Sequence, residues 1–471
     1  MNKYKTLLKD TSIFAIGSIA SKAIIFFLVP LYTNYLSTEE YGIADLVFTM
    51  AQMLIPFVSL VIFDGVIRFG LMYKERTQDV LLVGLIVWGA GCSVTIFLTP
   101  LFAKYSSIGV WSLYLCVYVC VNVLLSIELN YLKVLNKNMD YAIISIIQTV
   151  ALAVLNIYFL VIKQWKIEGY LMANIISQII AIIFASIFCD LIKELKKAKL
   201  DKKIAKEMIT YSSPLILNNL SWWIIQSSDK VMIEAMVGAA ELGLYTVACK
   251  IPSLISVFVA VFQQAWGISS IKEMDSGNET EFYSIVFQYF FFFIGILCLG
   301  IIVIVRPFMV IYAHGNGYEE AWRLVPMLLA SALFSAIAAY YGGMYGALKK
   351  SINNMISTAV AAIVNIGVNL LCIRWIGVFG AVTGTFVSYL ILALMRMVDV
   401  NKYVHIDIKK KLFLLNLVLI ITDSILITVN FHIYFVSVVS FVAFLLINQK
   451  SLIDILRNLW EHNEILKRKN K

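Results

Sequence analysis

Long apolar runs dominate the chain, and their length is the tightest constraint on its fold. They lie near residues 11–36, 42–67, 79–100, 108–132, 141–163, 168–190, 210–236, 242–270, 283–305, 321–347, 354–373, 378–399, 411–429 and 432–449. A helix needs about 20 apolar residues to cross a bilayer. Lipid cannot solvate backbone N–H and C=O groups, so continuous runs of this kind should be helices. None alternates in polarity as a membrane β-strand would. With 61% of 471 residues hydrophobic and 14% charged, little chain is left outside the spans. That excludes a water-soluble enzyme, a secreted disulfide scaffold, a disordered chain and a receptor with a large extramembrane catalytic domain. The expected fold is an all-α integral membrane protein with about 14 transmembrane helices.

Basic residues orient these spans. With the N-terminus in the cytoplasm, the outer segments hold Lys104, Lys163, Lys166, Arg306, Arg323 and Arg374. Lys22, Lys230 and Lys250 lie inside spans, and the cytoplasmic side takes the rest of the 38 lysines and arginines. The bias follows the positive-inside rule and places both termini in the cytoplasm. The net charge of +9 therefore reads as topology, and no nucleic-acid partner is expected. The stretch 451–466 sets Leu452, Ile455, Leu456 and Leu459 on one face, as in a short helix lying on the membrane.

An internal repeat divides the chain. Residues 36–46 align with 237–247, pairing Glu40 with Glu241 and Gly42 with Gly243. Further on, Asn156, Trp165, Gly169 and Ser177 are echoed by Asn365, Trp375, Gly380 and Ser388. Spans 1–6 thus resemble spans 7–12. Six is even, so the two lobes are parallel, with a pseudo-twofold axis along the membrane normal, a symmetry used by transporters. The expected organisation is a six-helix lobe over 1–191, a basic cytoplasmic linker over 192–209, a second six-helix lobe over 210–400, two additional helices over 401–450 and a basic amphipathic tail over 451–471.

Polar groups inside spans are expensive and mark cavities or pathways. Span 2 carries Asp45, Thr49, Gln52, Pro56 and Ser59 on one helical face, and span 7 carries Asn219, Trp223, Gln226 and Lys230 on another. The repeat maps these faces onto Thr246, Lys250 and Ser253 in span 8 and onto Ser18 and Lys22 in span 1. The expected substrate cavity is lined by Ser18, Lys22, Asp45, Gln52, Asn219, Trp223, Gln226, Lys230, Lys250 and Ser253. Its lysines suit an anion such as a phosphate or diphosphate. Asp45, Asp64 and Asp229 are candidates for coupling an ion. Glu234 is the expected local partner of Lys230, and Asp64 that of Arg68, each four residues away. Gly342 with Gly346, and Gly380 with Gly384, have the spacing of close helix packing. Nucleotide-binding, zinc-protease and serine-hydrolase motifs are absent from the sequence, so no cofactor, metal or catalytic residue is expected.

Asp229-Lys230-Val231-Met232-Ile233, then Gly238, then Glu241-Leu242-Gly243-Leu244-Tyr245 and Lys250-Ile251-Pro252 resemble the second-half signature of the Wzx-type polysaccharide flippases. The stretch 14–42 resembles their first helix and its outer turn, and Gly317 to Ala321 fits as well. These flippases belong to the multidrug/oligosaccharidyl-lipid/polysaccharide (MOP) superfamily. The resemblance implies a transporter of the bacterial inner membrane. Such a protein moves undecaprenyl-diphosphate-linked oligosaccharide repeat units outward by alternating access, through a cavity lined by helices 1, 2, 7 and 8. It also implies a polysaccharide polymerase and glycosyltransferases as pathway partners, and membrane lipids as surroundings. Two spans beyond twelve resemble the lipid II flippase branch, where the extra pair helps form a groove for the lipid tail. The alternatives are a cation-coupled multidrug exporter of the same superfamily and a membrane-embedded glycan polymerase or ligase. An exporter would usually show twelve spans and often a carboxylate in helix 1, where this chain has Lys22. A polymerase would carry a large outer loop.

Overall fold

The computed structural model describes residues 21–104, 107–274, 279–348, 350–450 and 453. Among them the chain is helical, with no strand. Helix α1 is described over residues 21–35. It is followed by α2 (Thr38–Ser59), α3 (Ile62–Met72), α4 (Thr77–Phe102), α5 (Ser112–Val134), α6 (Asn138–Asn156), α7 (Lys166–Phe188), α8 (Leu191–Lys197) and α9 (Lys202–Ser212). Then come α10 (Leu215–Met236), α11 (Ala239–Glu273), α12 (Glu279–Tyr312), α13 (Val325–Ala347), α14 (Ser351–Ile376), α15 (Val378–Val400), α16 (Lys410–Thr428) and α17 (Ile433–Ile447).

Within the described residues the expected spans fall on helix, and 11 helices there are long and apolar enough to cross a membrane. Three expected spans fall outside that set for separate reasons. α1 is described only in part, α10 carries the polar face noted above, and α17 has 15 residues. The amphipathic helix expected over 451–466 lies, Ile453 apart, outside the described residues, as does Ser18.

Two spans that read as continuous are broken. Span 2 divides at Leu60 and Val61, both left-handed (φ 49° and 53°). The Ser59 hydroxyl donates to the Ile55 carbonyl at 2.7 Å and accepts the Val61 N–H at 3.0 Å, fastening the break. A β-branched residue at positive φ costs about 1–2 kcal/mol, and neither residue signals a turn in sequence. Span 7 divides at Pro214, which stands at the N-cap of α10. The basic stretch 192–209 is helical in two pieces, α8 and α9. Asp201 caps α9 and meets Arg76 at 2.9 Å. The backbone N–H of Lys203, then Arg76, hold its carboxyl below the usual range.

The helices form two compact units. The first comprises Met1–Val247, Tyr312–Tyr318 and Ile373–Val378. Its core has an aromatic cluster in which Tyr170 meets Tyr32 edge to face at 4.8 Å and Tyr41 at 5.8 Å. The 312–318 segment closes the end of α1. Asn316 donates to the carbonyls of Thr33 and Leu36, and Tyr318 to that of Ser37. Carbonyls at a helix end have no intrahelical partner, so this segment supplies what the helix lacks.

The second unit comprises Ala248–Ile311, Glu319–Cys372 and Phe379–Lys471. Trp266 donates to the Tyr340 carbonyl at 2.9 Å and Tyr340 to that of Tyr283 at 2.7 Å, inside a stack of rings. Repeat-equivalent polar residues are buried, each pair divided between the units: Asn156 and Ser177 in the first, Asn365 and Ser388 in the second.

Arg396 is the unexpected group of the second unit. Charge counting assigns it to the cytoplasmic end of span 12, yet it is 3% exposed. Its guanidinium donates to the Ala338 carbonyl (2.8 Å), Thr358 (2.9 Å) and Ser357 (3.2 Å). Among the described residues it forms no ion pair with a carboxylate. Gly342 makes room for it, since a Cβ there would overlap Nη1. Gly384 likewise accommodates the Asn369 carboxamide, and a Cβ at Gly346 would meet nothing within 4 Å. Of the glycine pairs expected as helix-packing motifs, Gly342 and Gly384 thus make room for side chains. Gly342→Ala should cost about 1–3 kcal/mol by overpacking, and Arg396→Met in the same chain should recover most of it. Thermal denaturation of the purified variants in detergent checks this; no recovery in the double variant would refute the clash.

Candidate functional site

The site is built where α2, α10 and the start of α11 meet in the first unit. The motif Ser37-Thr38-Glu39-Glu40-Tyr41-Gly42 opens α2 as a capping box. The Ser37 hydroxyl accepts the Glu40 N–H at 3.2 Å, and the Glu40 carboxylate accepts the Ser37 N–H at 2.9 Å. Glu40 also pairs with Lys166 at 2.8 Å. Gly42 and Gly243, the equivalent positions of the repeat, lie at a contact of the α2 and α11 backbones. A Cβ on Gly42 would overlap the Ala239 carbonyl, and one on Gly243 that of Thr38. Only glycine permits that approach.

About one turn along from this contact, the polar faces of α2 and α10 join. Lys230 Nζ lies 2.8 Å from Asp45 Oδ2, and the Thr246 hydroxyl donates to the same oxygen at 3.0 Å. A further turn along, Trp223 Nε1 donates to the Thr49 carbonyl at 2.9 Å. Asp229 accepts from Tyr245 and from the Lys230 N–H. The side chains of Lys230 and Asp45 keep only 19% and 11% of their exposure. Lys230 therefore pairs with Asp45, 185 residues away, while Glu234, the expected local partner, accepts from Ser107. Arg68 does not pair with Asp64 among the described residues; its guanidinium lies 4.2 Å over the Tyr211 ring. A cation–π contact of that kind replaces the expected i,i+4 pair.

The other expected site residues are placed as follows. Lys22 is exposed on α1 and forms no ion pair among the described residues, and the buried Glu128 carboxylate accepts from Ser186 at 2.8 Å. Lys22 is 13 residues from the end of α1 at Tyr35, about 20 Å along the axis. The Asp45–Lys230 pair lies about 10 Å from the same end, seven residues into α2. Gln52 and Gln226 are exposed. Asn219 is turned back on its own helix, donating to the Leu215 carbonyl. Lys250, half-buried, and Ser253, whose hydroxyl donates to the Lys250 carbonyl at 2.6 Å, belong to the second unit. Arg396 escaped the sequence reading because it sits within four residues of the end of α15, where a basic residue needs no explanation.

Among known proteins, the chain matches a family model described as polysaccharide biosynthesis protein over residues 7–266. A membrane protein of Haemophilus influenzae, itself uncharacterised, is 24% identical over 262 residues, 55% of this chain and 64% of its own length. A second protein of that organism, from its Lsg locus, is 22% identical over 269 residues, again 64% of its length. The chain therefore spans less than two thirds of these relatives. Two solved structures share the fold. The lipid II flippase MurJ, in an inward closed conformation, superimposes with a TM-score of 0.68 at 15% identity, covering 93% of this chain and 99% of that one. An inward-facing multidrug resistance MATE family transporter of the MOP superfamily gives 0.66 at 14%, covering 82% and 98%. With a MOP-type helical fold and more than half its length matched to the family model, which by itself shows the family, this chain belongs to the polysaccharide biosynthesis protein family of multi-pass membrane proteins.

Proposed function

We propose that the chain is a flippase that carries an undecaprenyl-diphosphate-linked oligosaccharide repeat unit across the bacterial cytoplasmic membrane by alternating access. In this reading both termini are cytoplasmic and the Gly42–Gly243 contact lies at the outer face. The observation that carries it is Lys22. A cation held about 20 Å inside a helix end, exposed and without an ion pair among the described residues, needs water and an anion to be tolerable. A carrier-lipid diphosphate provides that anion. Lys230, about 10 Å nearer the outer face, then offers a second station, with Asp45 as the counter-ion that holds it between cycles. Fourteen spans, a polysaccharide polymerase and glycosyltransferases of the same pathway belong to this proposal, and the chain itself does no chemistry in it.

The test is flipping in proteoliposomes of the purified chain, with a fluorescent undecaprenyl-diphosphate oligosaccharide as substrate and an impermeant quencher outside. A gain of protected substrate over protein-free vesicles is expected, with no efflux of ethidium under a proton or sodium gradient. Ethidium efflux without flipping would establish the exporter alternative, which the MATE-like fold also accommodates.

A further inference from the structure

We propose that Asp423, in the second unit and apart from the residues above, is a proton-binding site that locks α16 to α17. Asp423 lies 13 residues into α16, about 20 Å from Lys410 along the axis and about 8 Å from the other end. It is 1% exposed, and neither of its carboxyl oxygens takes part in a hydrogen bond. Ser440 of α17 is the polar side chain that faces it across the seam. The buried hydroxyls on either side are committed to their own helices. Ser424 donates to the Ile420 carbonyl at 2.8 Å, and Ser437 to that of Tyr434 at 3.3 Å.

No cation answers this carboxyl either. α13 and α17, which pack on α16, contain no lysine, arginine or histidine. Lys410 and Lys411 of α16 itself are more than three turns away. Tyr340 and Tyr341 of α13 meet Phe287, which packs on Phe413, ten residues from Asp423, and Tyr345 donates to Asp399. On α12, Cys298 donates to the Leu329 carbonyl, and the Arg306 guanidinium lies 5.4 Å from the Trp322 ring and 6.0 Å from that of Tyr434 in α17. Arg306 forms no ion pair among the described residues. His432, ahead of α17, is exposed and stands edge-on to the Phe431 ring. A carboxylate withdrawn from water, donors and cations costs far more than the neutral acid, so a group in this setting keeps its proton. The neutral acid has the Ser440 hydroxyl before it as an acceptor for its O–H. If α16 and α17 part, water reaches Asp423, the proton passes to that water, and the carboxylate is hydrated. Closing the seam takes the proton back. Nearer the start of α16, Asn416 and Asn448 donate to each other at 3.0 and 2.9 Å; this pair carries no charge and is indifferent to the proton.

The experiment is infrared spectroscopy of the purified full-length chain, wild type against Asp423→Asn. At a pH where an aspartate in water is fully ionised, wild type should show a carboxylic-acid C=O band that shifts in D2O and is missing from Asp423→Asn. Asparagine copies the shape and neutrality of the acid, so this variant should be at least as abundant as wild type. Opening of the seam is read by thiol labelling of Ser437→Cys, on the same face of α17 as Ser440. At alkaline pH, labelling should be about tenfold faster or more with Asp423 present than in the Asp423→Asn background, the effect of one pH unit beyond the acid's midpoint. The native cysteines are common to both backgrounds and cancel. Identical carboxylic-acid bands in the two proteins, a fall in the abundance of Asp423→Asn, or equal labelling in both backgrounds would overturn the proposal. Loss of the band on adding sodium at constant pH would also overturn it, by showing a site for a metal cation. None of these readouts requires transport, so they stand or fall separately from the flippase reading.

Discussion

Lys22→Ala should stop export while leaving the protein abundant. The ammonium of Lys22 has no ion-pair partner among the described residues, so its removal orphans no carboxylate there. An ionised lysine near the bilayer centre costs about 2.5–3.5 kcal/mol on insertion scales, and alanine at that position relieves the cost. Stability should hold or rise. Function should fall by an order of magnitude or more if the lysine meets the diphosphate, since a point charge at that depth has no substitute nearby on α1. Lys22→Arg should keep part of the activity, because the charge persists while its geometry changes. Abundance in membranes and surface polysaccharide are measured together. Normal polysaccharide in Lys22→Ala would remove Lys22 from the mechanism, and reduced abundance would give it a structural partner.

The fold is legible in the sequence where one periodicity decides the outcome. Bilayer-length apolar runs can only be helices, so the helical fold was legible throughout, and the Gly42–Gly243 equivalence surfaced as a real backbone contact. The site is not legible where a local pattern is silent about its neighbours. Asp45 and Lys230 were both legible as polar residues on helical faces, but their pairing depends on which faces meet, and an i,i+4 rule sees only Glu234. Leu60 and Val61 carry no turn signal, because the Ser59 hydroxyl two residues before Val61 supports the break. Arg396 has the sequence position of a topological charge, yet its guanidinium is folded inward onto Ala338, Ser357 and Thr358. The sequence places these groups on helices; it does not say which helix each one faces.

The same Asp45–Lys230 pair separates a staple from a station on the substrate path. Asp45→Asn leaves a largely buried ammonium without its carboxylate, and removing one partner of a buried pair costs about 3–5 kcal/mol. The low end applies here, because Lys230 retains about a fifth of its exposure. Lys230→Met should be milder, since Asp45 keeps the Thr246 hydroxyl as a donor. The double variant, Asp45→Asn with Lys230→Met, buries no unpaired charge and should restore abundance to near wild type, as neutral replacements of buried pairs generally do. Export then discriminates. If the pair only fastens α2 to α10, the double variant exports normally. If Lys230 leaves Asp45 to take up the diphosphate, the double variant is abundant and export falls at least tenfold. The second result is expected on the proposed function, in which Lys230, about 10 Å beyond Lys22 along the helix axes, is the next cation on the substrate path. Membrane immunoblots with surface-polysaccharide assays read both quantities in the same cells.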